Sequence, residues 1–447
     1  MLPRVLYRTF RALTALDGWI RRRFTRAGWL LLGGLGASAV VGLDTNRTVA
    51  YQAFTFLLAV LLLAVGATRG FRPRVAVRRV LPRFATVGQP LGYHAAVRNL
   101  TRQPRAGLTL LDAPDDPGPG LEEFVGPDGD GDAGDNWWDR LVGYPRWQAL
   151  VRRSRGALIR EQPLPTLPPL GEVDVKLELV PLRRGYLRFS GVTVSRLDPL
   201  GIFRACRWIP LAQSLLVLPE RYPVAPIHLP GTRKFQQGGV ALALSVGDSE
   251  EFVALRDYRP GDPLRRIHWK SWARVGRPMV REYQDEFFVR QALVLDTFAG
   301  PGGRARLEAA VSVAASVACA VDTGESLLDL MFVGPRAYCF TAGRGVAHVD
   351  QMLEILASVG ACRDQPFAAL HRLVAARAAS LSACLAVLLA WDGPRQAFVR
   401  QLDGLGVPTL VLLIAKPGEA PAVPLVGRAA RTLRLEVGAI REGLARL

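Results

Sequence analysis

A chain of 447 residues with 57 lysines and arginines against 39 acidic residues carries a formal net charge of +18, and its length allows two or three domains with ordinary cores. Its 49% hydrophobic content is that of folded protein, and the charge invites nucleic acid or an anionic membrane surface as partner. The five cysteines, Cys206, Cys319, Cys339, Cys362 and Cys384, are odd in number and widely spaced, which argues against a disulfide framework or zinc cluster and makes them reduced core residues.

Residues 1–26 form a basic N-terminus, followed by a hairpin of two membrane spans over 27–67. Ala27–Leu43 and Val49–Ala67 contain no charged residue, and only DTNRT lies between them. Each is about the length that crosses a hydrocarbon core. Seven arginines (Arg4, Arg8, Arg11, Arg21, Arg22, Arg23, Arg26) precede the first span and six (Arg69, Arg72, Arg74, Arg78, Arg79, Arg83) follow the second. That asymmetry places both flanks and both termini in the cytoplasm, with membrane lipids as their partner. The long arginine-rich lead and the second span argue against a cleaved signal peptide.

Residues 72–230 change to short alternating apolar runs cut by Pro and Gly, such as RVAVRRV, LGYHAAVRN and DVKLELVP. Period-two alternation between closely spaced turns predicts an antiparallel β-sandwich. No titratable cluster is legible on it. Its stretch 112–170 is an insertion too long and too rich in Pro and Gly for a strand connection, and is expected as a mobile loop or a cover. Within it Asp128, Asp130, Asp132, Asp135 and Asp139 are spaced somewhat like a calcium loop. Ala133 at the glycine position and Asp139 at the glutamate position favour a solvated acidic loop instead.

Residues 248–289 hold EFVALRDYRPGDPLRRIHWKSWARVGRPMVREYQDE. Asp262 as N-cap, Pro263 after it and Gly276 past the end predict a helix of about three turns over 264–275. On it Arg266, Lys270 and Arg274 make one cationic stripe, which repels itself unless solvent or an acidic partner faces it. Four readings compete. Catalysis has only His268 and Ser271 to draw on. Nucleic-acid binding lacks a recognised motif and meets six carboxylates in the same segment, so it is disfavoured. An internal lock would pair Arg256, Asp257, Arg259 and Asp262. A protein-docking surface would use Arg256, Arg259, Arg265, Arg266, Trp269, Lys270, Trp272 and Arg274, the residue types of interaction hot spots. The last two are compatible.

Residues 290–447 alternate continuous apolar strands (QALVLDT, SLLDLMFVG, PTLVLLIA) with helical stretches, which predicts a doubly wound, mostly parallel sheet. Asp296 and Asp392 fall at strand carboxyl ends, the binding edge of such a sheet. The order resembles a von Willebrand factor A-like domain, in which an aspartate after the first strand opens a DxSxS metal motif and a later strand ends in Asp-Gly. Asp296 and Asp392 with Gly393 match, whereas Phe298 and Gly300 stand at the serine positions and offer Mg²⁺ no side-chain oxygen. A metal-free α/β interaction domain is therefore expected, with a Mg²⁺ site at Asp296 and Asp392 as the alternative.

The signature segment, through Glu251, Phe252, Leu255, Arg256, Tyr258, Pro260, Gly261, Asp262, Arg265, Ile267, Trp269, Ala273 and Arg274, resembles the bacterial family called domain of unknown function 58. RRGYLRFSGVTVSRLDPLGIF, Arg183 to Phe203, is similar to that family's second recurrent stretch. The resemblance implies an inner-membrane protein working with a MoxR-type AAA+ ATPase, often beside a transglutaminase-like membrane protein. It implies a chaperone-like or assembly module, and the expected role is a non-enzymatic adaptor or scaffold in protein assembly or maturation. No GxxxxGK[ST] loop is present in the chain, so ATP hydrolysis would belong to the partner. A metal-dependent binding module is the alternative, and a hydrolase or nucleic-acid binder the third reading.

Overall fold

The computed structural model describes residues 2–41, 48–115, 118–125, 143–224, 251–260, 262, 264, 267–284, 289–300, 302–321, 326–343, 348–418 and 430–446. The candidate calcium loop and the arginines Arg265 and Arg266 lie outside them. The chain divides into two compact units, Met1–Glu220 with Leu356–Ser358, and Arg221–Ile355 with Val359–Leu447.

The first unit opens with three helices, α1 (Leu2–Arg23), α2 (Arg26–Val41) and α3 (Thr48–Thr68). Val49–Thr68 is the one described helix long and apolar enough to cross a membrane. At 16 residues α2 is apolar but shorter, reaching roughly 24 Å against a hydrocarbon core of about 30 Å. The two lie against each other with Gly34 facing Leu57.

Helix α1 is amphipathic, and the inserted stretch supplies what covers one of its faces. Two helices of that stretch, α4 (Leu121–Val125) and α5 (Tyr144–Ser154), bury Phe124 and Trp147 against Phe10, with Leu6 and Tyr7 alongside. The Trp147 indole donates to the Thr14 hydroxyl at 2.9 Å, and the Tyr7 hydroxyl donates to the Pro119 carbonyl at 3.2 Å. Of the two expectations for the insertion, a mobile loop or a cover, these residues meet the second: aromatic burial holds them to the N-terminal helix.

The sandwich follows. One sheet runs β1 (Val75–Val80), β3 (Leu91–Asn99), β7 (Glu172–Pro181) and β5 (Ala157–Ile159). The other runs β2 (Phe84–Thr86), β9 (Arg204–Leu218), β8 (Gly185–Leu197), β4 (Leu108–Pro114) and β6 (Gln162–Pro163). Pairing is antiparallel except between β2 and β9. The inserted stretch is thus part of both sheets through β5 and β6. Alternate residues of β7, including Val175, Leu177 and Leu179, face a core shared with Tyr93, Leu110, Phe189 and Leu215, each such side chain contributing on the order of 2 kcal/mol by leaving water.

That core contains charge, which corrects the expectation of none. Arg79 lies across Asp112 in two contacts, the Nε one at 2.8 Å, while the Tyr93 hydroxyl donates to the same carboxylate at 2.7 Å. The Arg79 guanidinium also sits over the Phe189 ring at 4.4 Å and donates to the Leu211 carbonyl at 3.2 Å. Burial and then the Asp112 charge push the Tyr93 phenol far above its ordinary value, which keeps it a donor. Towards the other end, Glu161 accepts from Thr109 at 2.7 Å and Ser195 at 3.0 Å and pairs with Arg204. Burial raises the Glu161 carboxyl, and those donors, with the Arg204 charge, overcome it and hold the pKa below the ordinary value.

The second unit holds a sheet ordered β14 (Ala337–Ala342), β13 (Ser326–Val333), β12 (Val289–Leu295), β15 (Ala383–Leu388), β16 (Thr409–Ala415) and β17 (Ala430–Glu436). All pairs are parallel except β13 with β14. Every residue of β15 and β16 is buried, the mark of a sheet covered on both faces. Between β12 and β15 the strand order reverses, and the carboxyl ends of those strands bound the edge carrying Asp296 and Asp392.

The cysteines divide: Cys362 and Cys384 are buried, Cys206 and Cys339 half-buried, and Cys319 exposed, all unpaired. For Cys319 the core assignment is corrected, since its helix turns it outward.

Candidate functional site

The signature segment begins as an antiparallel pair of strands, β10 (Glu251–Asp257) and β11 (Met279–Gln284), with a bulge between Phe252 and Ala254. The chain between them turns at once. Tyr258 N–H donates to the Pro278 carbonyl at 2.9 Å, and Asp262 N–H to the Arg259 carbonyl at 3.0 Å. Arg256 and Asp262 form a bidentate pair with both N–O distances 2.7 Å, and Arg259 N–H adds a third donor at 2.9 Å. The Arg256 bonds, then the Arg259 amide, hold the Asp262 carboxyl down at about 2.

Asp262 is therefore spent on the turn rather than on a helix start. The expected helix over 264–275 is corrected to α6, Trp269–Val275, with His268 before it and Gly276 closing it at φ 75°. Its first part is displaced by tertiary contacts. Ile267 is buried opposite Val280, and His268 N–H donates to the Met279 carbonyl at 2.8 Å, so this stretch runs along β11. Two long-range contacts override the local capping signal.

Helix α6 buries none of its own residues. Trp269 and Trp272, three apart, stack with ring centroids 5.2 Å apart and planes 20° from parallel. Trp269 is 63% exposed and Leu264 67%, and Lys270 and Arg274, one turn apart, are both exposed beside them. The result is an aromatic face bordered by cations, the composition of an interaction hot spot. His268 Nδ1 and the Ser271 hydroxyl lie 2.6 Å apart at the start of the helix.

The eight predicted interaction residues thus separate by role. Arg256 is held inside the turn, Arg259 is exposed and lends its amide to Asp262, and Trp269, Trp272, Lys270 and Arg274 share α6. Arg265 and Arg266 lie outside the described residues, so of the cationic stripe Lys270 and Arg274 are seen. Asp257 forms an exposed pair with Arg277 at 3.3 Å, which solvent largely screens.

The sheet edge brings Asp296 and Asp392 to the same place through a residue the sequence reading missed. Arg395 donates from Nε to Asp296 at 2.6 Å and from Nη1 to Asp392 at 2.5 Å, with its guanidinium 4.8 Å from the Phe367 ring centre. Asp296 is fully buried and also accepts the Phe298 and Leu389 amides, each at 3.0 Å. Asp392 caps α7 (Gly393–Gly404), accepting the Arg395 amide at 3.1 Å. Burial opposes the Arg395 charge, and the bonds and charges of Asp296 and Asp392 outweigh it and raise its pKa. Thr297 donates its hydroxyl into the sheet, to the Val333 carbonyl at 2.5 Å, and Phe298 packs on Phe367.

These residues do not fit a divalent cation. Both oxygens of Asp296 are engaged and a guanidinium stands between the two carboxylates, where Mg²⁺ would need near-octahedral oxygens. A clue was present in DGPR, a capping aspartate with an arginine three residues on. Its second partner, 99 residues away, was not legible.

Residues 254–391 match the family described as protein of unknown function DUF58. A curated relative, the uncharacterized protein YeaD of Bacillus subtilis, is 27% identical over 189 residues, 41% of this chain and 45% of that protein. The match therefore spans less than half of that relative. Among solved structures, a Salmonella alpha-2-macroglobulin mutant is matched at 16% identity over 36% of this chain and 8% of that one, with a TM-score of 0.20. The CARDB domain of a Pyrococcus furiosus protein is matched at 12% identity over 33% and 89%, with a TM-score of 0.17.

Proposed function

We propose that this chain, which belongs to the DUF58 family through residues 254–391, is a membrane-held, non-enzymatic adaptor that docks a partner protein on the α6 face. The observation that carries the reading is a helix that buries none of its own residues yet presents the stacked Trp269–Trp272 pair beside Lys270 and Arg274. Exposed tryptophan beside cations favours a partner with an apolar pocket and an acidic rim. The family resemblance supplies a candidate, a MoxR-type AAA+ ATPase, with a transglutaminase-like membrane protein as a further neighbour. The α2 and α3 pair is read as a two-span anchor of a bacterial inner membrane, and the arginine flanks favour termini in the cytoplasm. The sheet of the second unit is read as a von Willebrand factor A-like domain working without a metal.

The test is cross-linked affinity purification of the full chain from its native membrane, beside Trp269→Ala and a Lys270→Glu, Arg274→Glu variant at matched abundance. An AAA+ ATPase recovered with the native chain and reduced at least about tenfold with either variant supports the reading, since a hot-spot tryptophan is typically worth 2 kcal/mol or more. Full retention by abundant variants overturns it.

A further inference from the structure

The second recurrent stretch, Arg183–Phe203, ends in a turn whose role the docking reading leaves open. Asp198 fixes that turn by accepting the amides of Ile202 and Phe203, each at 2.7 Å, and that of Leu200 at 3.0 Å. The turn is in turn fastened to the joint between α1 and α2. The Thr25 hydroxyl donates to the Gly201 carbonyl at 2.6 Å, Thr25 N–H donates to the Ile202 carbonyl at 3.1 Å, and Phe24 meets Phe203 edge to face at 5.1 Å. Gly28 comes so close that a Cβ there would lie 2.4 Å from the Ile202 oxygen. Phe203 therefore stands as a rigid wall beside the end of α3.

Between that wall, the last turn of α1 and the end of α3 lies a cavity of about 380 Å³. Its lining is graded. Leu61, Leu62 and Val65 form an apolar strip along α3, Arg69 follows the end of that helix, and Arg23 joins the lining from the last turn of α1. From Leu61 to Thr68, the residue before Arg69, the helix rises roughly 10 Å, about the distance from upper acyl chain to headgroup. Arg23 is held over the rings of Trp19 at 5.0 Å and Phe203 at 5.7 Å, leaving its N–H edges for an oxyanion. Among the described residues neither Arg23 nor Arg69 has a carboxylate partner, and Trp19 is a residue type that sits at headgroup depth.

We infer that this cavity binds one anionic phospholipid, its phosphate between Arg23 and Arg69 and an acyl chain along Leu61, Leu62 and Val65. The inference rests on α3 being membrane-inserted. Apolar walls alone would take any lipid. The two lining guanidinium groups, without a carboxylate partner among the described residues, select an anionic headgroup, as basic pockets beside membrane helices do.

The experiment takes the full chain in non-ionic detergent, adds dioleoyl-phosphatidylglycerol or dioleoyl-phosphatidylcholine, and counts retained lipid by native mass spectrometry. Native protein is expected to keep one phosphatidylglycerol, an Arg23→Gln, Arg69→Gln variant to lose it at least about tenfold, and an Arg98→Gln, Arg102→Gln variant, altered on the sandwich instead, to behave as native. Equal retention of the two lipids, or undiminished phosphatidylglycerol on the first variant, overturns the site. Cell fractionation of the native chain separates the two failures: a membrane-bound chain without lipid preference sinks the site alone, and a chain in the soluble fraction sinks the anchor and the site together.

Discussion

Arg395 Nε lies 2.6 Å from a fully buried Asp296 carboxylate oxygen, and the same guanidinium reaches Asp392. The cation at this strand edge is a side chain. Millimolar Mg²⁺, Mn²⁺ or EDTA should therefore leave the melting temperature unchanged, because a ligand stabilises only where it binds. Arg395→Ala should lower it strongly, since an unpartnered buried carboxylate costs about 3–5 kcal/mol. Differential scanning calorimetry with and without Mg²⁺ checks both, and a stabilising shift in the native chain would refute the assignment.

The same logic applies to Arg79, paired with Asp112 at no side-chain exposure on either partner. Arg79→Ala should cost about 3–5 kcal/mol by leaving the buried Asp112 carboxylate without its charge partner, the Tyr93 hydroxyl still donating to it. Arg79→Met with Asp112→Leu and Tyr93→Phe should recover most of that loss, because apolar replacement of the interacting side chains, the Tyr93 hydroxyl that donates to Asp112 included, is often neutral. Thermal unfolding of the single and triple variants measures the loss and the recovery.

Asp262 is held at about 2 by Arg256 and the Arg259 amide. A folded value below the unfolded one of about 3.9 means its contribution is present above pH 4 and is lost as pH falls towards 2. Arg256→Gln should move the carboxyl titration upward, towards pH 4. Carbon-13 NMR of labelled aspartate would follow it, and an unchanged midpoint would remove Arg256 as the cause.

Gly28→Leu should separate the sandwich turn from the helices, since the Ile202 carbonyl it would strike is backbone and cannot swing aside. Overpacking of this kind costs roughly 1–3 kcal/mol. Limited proteolysis should then cut near Gly201, while Gly36→Leu, which faces nothing within 4 Å, leaves the pattern unaltered.

Iodoacetamide should label Cys319 first. Cys319 is exposed, and burial pushes the Cys384 thiol up to about 12, so little thiolate forms there at neutral pH. Peptide mapping of a native-state time course reads the order, and early Cys384 labelling would mean that the sheet opens readily.

The features legible in the sequence were those a short window can carry. An uncharged apolar run marks α3, period-two alternation marks the sandwich strands, and continuous apolar runs mark β12, β15 and β16, because each pattern states which faces leave water. Asp296 and Asp392 were placed at one sheet edge because strand ends are local signals. The cation joining them was not, since Arg395 meets Asp296 across 99 residues. Local capping chemistry also predicted too long a helix at the signature segment, where Asp262 satisfied Arg256 and Ile267 paired with β11 instead. Likewise the inserted stretch read as a loop or a cover because of its length and its Pro and Gly content, and the contact of its Phe124 and Trp147 with Phe10 on α1 was not legible. Sequence alone determined which segments must hide from water; the tertiary structure decided which buried charges meet, because a charge chooses its partner by distance in space and not along the chain.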